Sequence, residues 1–378
     1  MLSRSDSPRS SQPTGTLRRL PRGWLLGGGV AWVLVWMLIA CVVGAFPITL
    51  IEALRILLHS TGLTDASGFS AQQATVLLDL RLPRVLLGLC VGAGLGAAGA
   101  ALQALFRNPL ADPGLIGISA GASLAAGATI VLGASLAPAL LARVGVWAVP
   151  GAAMLGAWLA VIVVLRIASG GRSANDHTNT TIGATTALTL MLLAGVAINA
   201  LASAGIGLFT YLATDAQLRD LAFWNLGSLS GASWTNVAVV APAVAIALAV
   251  LLRSARALNT FVLGEGEAVL LGVPVQTLKL RVIALTALAV GACVAMTGMI
   301  GFIGLVAPHC VRLIGGPDQR VVLPGAALFG AGLVLAADVV ARSLVAPAEL
   351  PIGVLTAALG APFFLWLLAR SRRSWSGA

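Results

Sequence analysis

The side chains able to do covalent chemistry in this 378-residue chain are few and far apart. Histidine occurs only at 59, 177 and 309, in three distant segments, and no H-E-x-x-H is formed. One G-x-S-x-G occurs, G-I-S-A-G at 117–121, which puts Ser119 in the slot of a hydrolase nucleophile. That elbow needs a strand before the serine and a helix after it. Here it follows a Pro/Gly turn and lies early in an apolar run, the context of a chance match in a glycine-rich chain. Glu265 and Glu267 are a close carboxylate pair, but they lie in a loop outside the apolar runs. The cysteines at 41, 90, 293 and 310 form no C-x-x-C pair and sit in or beside apolar runs, where they read as small buried hydrophobes. No G-x-x-x-x-G-K-[ST] is present, because Lys279 follows Thr277 and Leu278 and not a glycine-rich loop. The expectation is no catalytic residue and no metal site, and any use of ATP requires a separate subunit.

A second group of residues is notable for position. Arg81 and Arg84, in R-L-P-R, precede one apolar run, and Arg342 ends another. Arginine at such an edge either snorkels to lipid headgroups or offers charge-assisted hydrogen bonds to carboxylates of a partner. Asp338 lies four residues before Arg342. A carboxylate inside an apolar run is costly unless paired or hydrated. It reads as an i,i+4 partner of Arg342, or as a proton relay in an ion-coupled transporter. His309, in A-P-H-C-V-R, reads as a bridge between helices or as a gate.

The elements that hold these residues follow from composition. Hydrophobic residues make up 58% of the chain, charged residues 10%, and the mean hydropathy is +0.98. Soluble domains carry about 25% charged residues, so this chain lacks the means to cover itself against water, and lipid is its solvent. The net charge of +10 does not indicate nucleic acid, since the one lysine is Lys279 and the arginines cluster at the ends of apolar runs. Apolar stretches near 20 residues predict ten spans, at about 24–46, 84–105, 114–136, 145–167, 187–209, 234–252, 281–299, 301–314, 321–341 and 352–370. The eighth is short and interrupted by Gly and Pro. Residues 1–22 are Ser-, Pro- and Arg-rich and read as a disordered tail, leaving 23–378 as one all-α membrane domain. The first run is too long for a signal-peptide core and reads as a retained helix. With ten spans both termini share a side. Of the basic residues, 17 fall on that side and six, Arg55, Arg81, Arg84, Arg143, Arg219 and Arg342, on the other. The positive-inside rule then puts both termini in the cytoplasm.

Between spans, 47–62 reads as an amphipathic surface helix and 215–231 as an interfacial half-helix carrying Phe223 and Trp224. Gly92, Gly96 and Gly99 make a small-residue face for close helix packing. On the inside, G-E-G-E-A-V-L-L-G-V at 264–273 opens with acids, continues apolar and stops at Gly272. It reads as a short capped helix able to dock in a groove of a cytoplasmic partner, or as a plain connection.

Several stretches in order resemble the permease family of importers for iron chelates, haem and cobalamin, the iron-siderophore type. They are R-L-P-R at 81–84, A-L-Q-A-L-F-R-N-P-L-A-D-P-G-L-I-G at 101–117, G-F-I-G-L-V-A-P-H at 301–309 and A-E-L-P-I-G-V-L-T-A-A-L-G-A-P-F-F at 348–364. The resemblance runs from the first span to the end. It implies a type II ABC importer permease fold of ten helices, working as two permeases with two ATPases, and a periplasmic substrate-binding protein docking outside. It also implies a bacterial inner-membrane location, with ATP and Mg on the ATPase and no cofactor in this chain. By the same resemblance Arg81, Arg84 and Arg342 receive glutamates of the binding protein. Glu265, Glu267, Ala268, Leu271 and Gly272, within a coupling loop at about 258–278, meet the ATPase. Gly266 departs from the larger, often acidic residue usual there. Asn108 and Leu110 match a stretch that closes the cytoplasmic end of the pathway. The segment 211–229 resembles haem permeases more than others, which makes haem the expected cargo, with ferric siderophore and cobalamin as alternatives. An ion-coupled secondary transporter using Asp338 is the reading from a different class.

Overall fold

Within lipid a polypeptide must satisfy its own backbone hydrogen bonds, so long apolar runs fold as helices. The computed structural model describes residues 21–63, 65, 68–169, 180–345 and 348–375, and every regular element among them is helical. His177 and the first 20 residues of the N-terminal tail lie outside the described residues.

In chain order the helices are α1 (Arg22–Val42), α2 (Leu50–Ser60), α3 (Ala71–Leu105), α4 (Ile118–Leu136), α5 (Ala148–Ser169, led in by a short helix, Pro138–Val144), α6 (Thr180–Leu212) and α7 (Asp215–Leu226). Then come α8 (Trp234–Arg253), α9 (Ala255–Leu263), α10 (Glu265–Leu270), α11 (Val275–Thr297), α12 (Ile303–Gly315), α13 (Gln319–Leu344) and α14 (Ile352–Trp375). Eight segments are long and apolar enough to cross a membrane, and α12 and the first part of α14 are shorter apolar helices. Together these account for the ten expected spans.

Local chemistry sets the ends. Thr49 with Glu52, Ser70 with Gln73 and Thr214 with Gln217 form capping boxes that start α2, α3 and α7. The first and third are the starts of the two surface helices expected from sequence. Among the boundaries that differ from expectation, three carry a local explanation. The second run begins at Ala71, so R-L-P-R lies inside a 35-residue helix whose Val76–Arg81 stretch is π-wound. The three turns before Leu82 carry Gln72, Gln73, Asp79 and Arg81, so the apolar stretch near 84–105 does not reveal the earlier start. The third run starts as a 3₁₀ turn, Pro113–Ile116, closed by Gly117 at φ 82°, before α4 begins. The seventh begins at Val275, six residues early, because Lys279 is neutralised within the fold by Glu265 and does not end the helix.

The centre of the bundle is α3 against α13, α12 and α11. A β-carbon on Gly92 would collide with the Gly330 carbonyl, one on Gly96 with that of Ala326, and one on Gly99 with that of Gly304. The expected small-residue face is therefore a packing device that brings backbones together where water supplies no driving force. The two ends of α13 are tied differently. At its start, Asn259 of α9 donates to Asp318 at 2.7 Å and accepts from the Gln319 N–H at 2.7 Å. At its far end stand Asp338 and Arg342.

Candidate functional site

A cavity of about 900 Å³ lies between α4, α6, α7, α12 and α14. Its walls are mostly apolar, including Leu95, Val196, Ile206, Val290 and Ile300. One polar strip crosses it. The Ser123 hydroxyl donates to Asn225 Oδ1, and Asn225 Nδ2 donates to the Leu221 carbonyl at 2.9 Å. Asn199 Nδ2 donates to the carbonyls of Gly114 at 3.0 Å and Gly195 at 2.8 Å. The first bond is possible because Gly195 lets α6 touch the Leu115 carbonyl, with no room for a β-carbon. Asp112, in the turn between α3 and α4, accepts from the Gly114 N–H at 2.8 Å. Burial raises its carboxyl above the ordinary carboxylate range, against the lowering effect of that bond. No arginine, lysine or histidine is among the described lining residues. Ser119 also lines the cavity, without the imidazole a hydrolase nucleophile needs.

The cavity floor is made by a break in the helices. After α11, Gly298 (φ 69°) turns the chain beneath the Trp224 carbonyl, and Phe302 adopts φ 66° before α12 starts. A bulky L-residue there costs about 1–2 kcal/mol. α12 has 13 residues against 23 in α11, roughly 20 Å against 35 Å, so its start lies inside the bundle. Beneath Phe302 the F-R-N-P-L turn is closed by Asn108, whose Oδ1 accepts from the Leu110 N–H at 2.9 Å. Leu110 faces Phe302, Leu305, Val306 and Phe363 across a narrow cleft. The two residues singled out from sequence thus sit at the floor, and the aromatic above them was missed. An aromatic within the glycine-flanked M-I-G-F-I-G was the signal.

At one end of the bundle the three arginines converge, but as internal structure. Arg81 donates to the carbonyls of Cys41 at 2.7 Å, Val42 at 2.8 Å and Phe46, and Arg342 donates to that of Ala40 at 2.7 Å. These are the last carbonyls of α1 and the chain just beyond, left without helical partners, where a cation also suits the helix dipole. Arg84 grips Asp338 through Nε at 3.0 Å and Nη2 at 2.8 Å, and holds both Glu349 oxygens with Nη1 at 2.9 Å. Asp338 does reach Arg342 in the i,i+4 sense, at 3.7 Å, yet Arg84 is its principal partner. A pairing across 254 residues leaves no trace in local spacing. Glu349 is 39% exposed and Asp338 only 2%. Glu349 is therefore the member of the cluster that water or another carboxylate can displace.

At the other end, α10 is the short helix expected at 264–273, with Gly272 at φ 78° as its stop, although no side chain caps its start. Lys279 Nζ sits 2.7 Å from both oxygens of Glu265 and locks α10 onto α11. Ala268 is buried. Of the residues named from sequence, Glu265 and Ala268 therefore face the bundle, and Glu267 and Leu271 face outward. Val269 and Leu270, which motif matching did not mark, add to the outward apolar face, with Leu270 88% exposed. Near this end Arg320's hydrogen bond holds the Asp318 carboxyl far below the usual range.

The model of the FecCD transport family matches residues 32–370. The hemin transport system permease protein HmuU of Yersinia pestis is 46% identical over 300 residues, covering 79% of this chain and 85% of that protein. The vitamin B12 import system permease protein BtuC of Escherichia coli is 42% identical over 295 residues, covering 78% and 84%. A solved chain of a metal-chelate type ABC transporter, in an inward-facing conformation, superposes with a TM-score of 0.76 at 29% identity, over 92% of this chain and 99% of that one.

Proposed function

The chain belongs to the FecCD transport family, and from that premise we propose that it is the permease subunit of an ATP-driven importer that carries haem inward by alternating access. The observation that carries this reading is the cavity of about 900 Å³ over a broken helix. Small-molecule sites span roughly 300–1,000 Å³, and discontinuous helices at the centre of a bundle are how transporters build transit sites. Apolar walls crossed by a few hydrogen-bonding groups suit a flat amphiphilic macrocycle. The scarcity of cations suits a site that must release its cargo, since an anionic group meets no salt-bridge partner there. Haem is preferred because the haemin permease is the more similar of the two kinds of relative. Cobalamin and ferric siderophores are the alternatives.

The partners are a second copy of this chain, two cytoplasmic ATPases carrying ATP and Mg, and a periplasmic binding protein. In this reading both termini are cytoplasmic and the membrane is the bacterial inner membrane. The outward face of Glu267, Val269, Leu270 and Leu271 meets the ATPase. Clamps from α10 to α11 and from α9 to α13 pass its movement into the bundle. α13 links the Asp318 end to the Asp338 end over 20 residues, about 30 Å of helix. It thereby couples the ATPase contact to the arginine cluster where the binding protein lands. Access switches between two states whose populations the ligands bias. No covalent step falls to this chain. Asp338 is consumed by Arg84, which removes the support for a proton relay.

The test of cargo is ATPase stimulation in proteoliposomes holding the full complex. Binding protein loaded with haem should raise turnover several-fold more than the same protein loaded with cobalamin or a ferric siderophore. Greater stimulation by either alternative would reassign the cargo.

A further inference from the structure

We propose that Phe302 is the plug of the transport path: its ring closes the cavity floor above Leu110 and must swing aside, with its backbone leaving the left-handed region, for cargo to pass. The proposal rests on the importer reading above.

Phe302 alone among the described residues, apart from glycines and Arg107, has positive φ. A strained aromatic persists only where its surroundings over-determine it, and here they are identifiable. On one side the first turn of α12 is pinned to α3. Gly99 packs on the Gly304 carbonyl, and the same carbonyl accepts from Gln103 Nε2 at 3.1 Å. Gln103 is in turn held by Arg312, near the α9 end. The Phe302 carbonyl accepts from the N–H groups of Leu305 at 3.1 Å and Val306 at 2.9 Å, so the residue is the head of the helix and not a free loop. On the other side Gly360 of α14 forms a notch. An added β-carbon there would overlap the Phe302 side chain and come within 2.8 Å of Cδ1. The ring borders the large cavity on one face and the cleft holding Pro109, Leu110 and Phe363 on the other. Movement of α14 against the pinned α12 therefore opens or closes the notch, which gives the residue two seats.

The test uses permease reconstituted in vesicles loaded with the self-quenched dye calcein, and separately the full complex with ATPase and binding protein. Phe302→Ala should raise dye release at least fivefold over wild type and lower cargo moved per ATP to a similar degree. Gly360→Ala, which fills the notch while retaining the Phe302 side chain, should also leak by pushing the ring out of its seat. Phe302→Leu should stay near wild type in both readouts, since it keeps the bulk. Wild-type tightness in both Phe302→Ala and Gly360→Ala, with each eluting as folded protein, overturns the proposal. Dye release is read without cargo or ATP. A wild-type complex that moves none of haem, cobalamin or a ferric siderophore would therefore count against the importer reading, while the leak comparison still decides the plug.

Discussion

Neutralising Glu349 should tighten docking of the binding protein. Arg84 presents two faces: Nε and Nη2 are committed to Asp338, which is 2% exposed, and Nη1 holds Glu349, which is 39% exposed. Only the second carboxylate occupies a site that a partner's acid can take. The cluster of Arg81, Arg84, Arg342, Asp338 and Glu349 has a formal net charge of +1, and Glu349→Gln makes it +2. An exposed ion pair is worth about 0–1 kcal/mol, so removing the internal competitor should lower the Kd up to about fivefold. The added charge raises the on-rate further at low ionic strength, an effect screened over about 10 Å at 0.1 M salt. The assay is surface plasmon resonance of the binding protein on nanodisc-embedded permease at low and high salt. Unchanged or weaker binding at low salt would refute the view that Glu349 stands in for a partner carboxylate. The charge reversal Arg84→Glu is a poorer probe, since it strands a buried Asp338 and confounds docking with folding.

Other outcomes follow from the same geometry. Arg84→Ala should destabilise the permease by about 3–5 kcal/mol by leaving Asp338 unpaired, and adding Asp338→Asn should restore much of the loss, read by thermal unfolding in detergent. Leu270→Asp should weaken copurification with the ATPase about tenfold or more, since docking a leucine contributes roughly 1.5–3 kcal/mol, and should leave thermal stability unchanged. Asp112→Asn should stabilise the protein at pH 7 by on the order of 1 kcal/mol. The wild-type carboxyl is raised on folding, so the native state binds the extra proton and stability falls as pH rises above the ordinary value near 3.9. The advantage of the variant should vanish near pH 4, which unfolding midpoints across pH would show.

Much of this architecture was legible because lipid imposes a single rule on apolar runs: length and charge located all ten helices. Amphipathic spacing, the interfacial pair Phe223 and Trp224, and Gly272 marked the surface helices and the α10 stop for the same local reason. What failed was long-range. R-L-P-R looked like an outward edge, but Arg81 caps α1, about 40 residues earlier, and Arg84 pairs with Asp338 across 254 residues. Lys279 looked like a boundary until its partner Glu265 brought it inside the fold. Ala268 resembled a contact residue by motif, whereas the helix turns it inward and Leu270 outward. Ser123, Asn199 and Asn225, from three separate helices, make the polar strip, and none has a sequence signal beyond being polar in or beside an apolar run.

The central claim is that this chain moves cargo under the control of an ATPase. The direct measurement is haem accumulation in proteoliposomes holding permease, ATPase and binding protein, with ATP or a proton gradient supplied separately. Accumulation that requires ATP and ignores the gradient is the predicted result. Accumulation that follows the gradient and persists without the ATPase would contradict it.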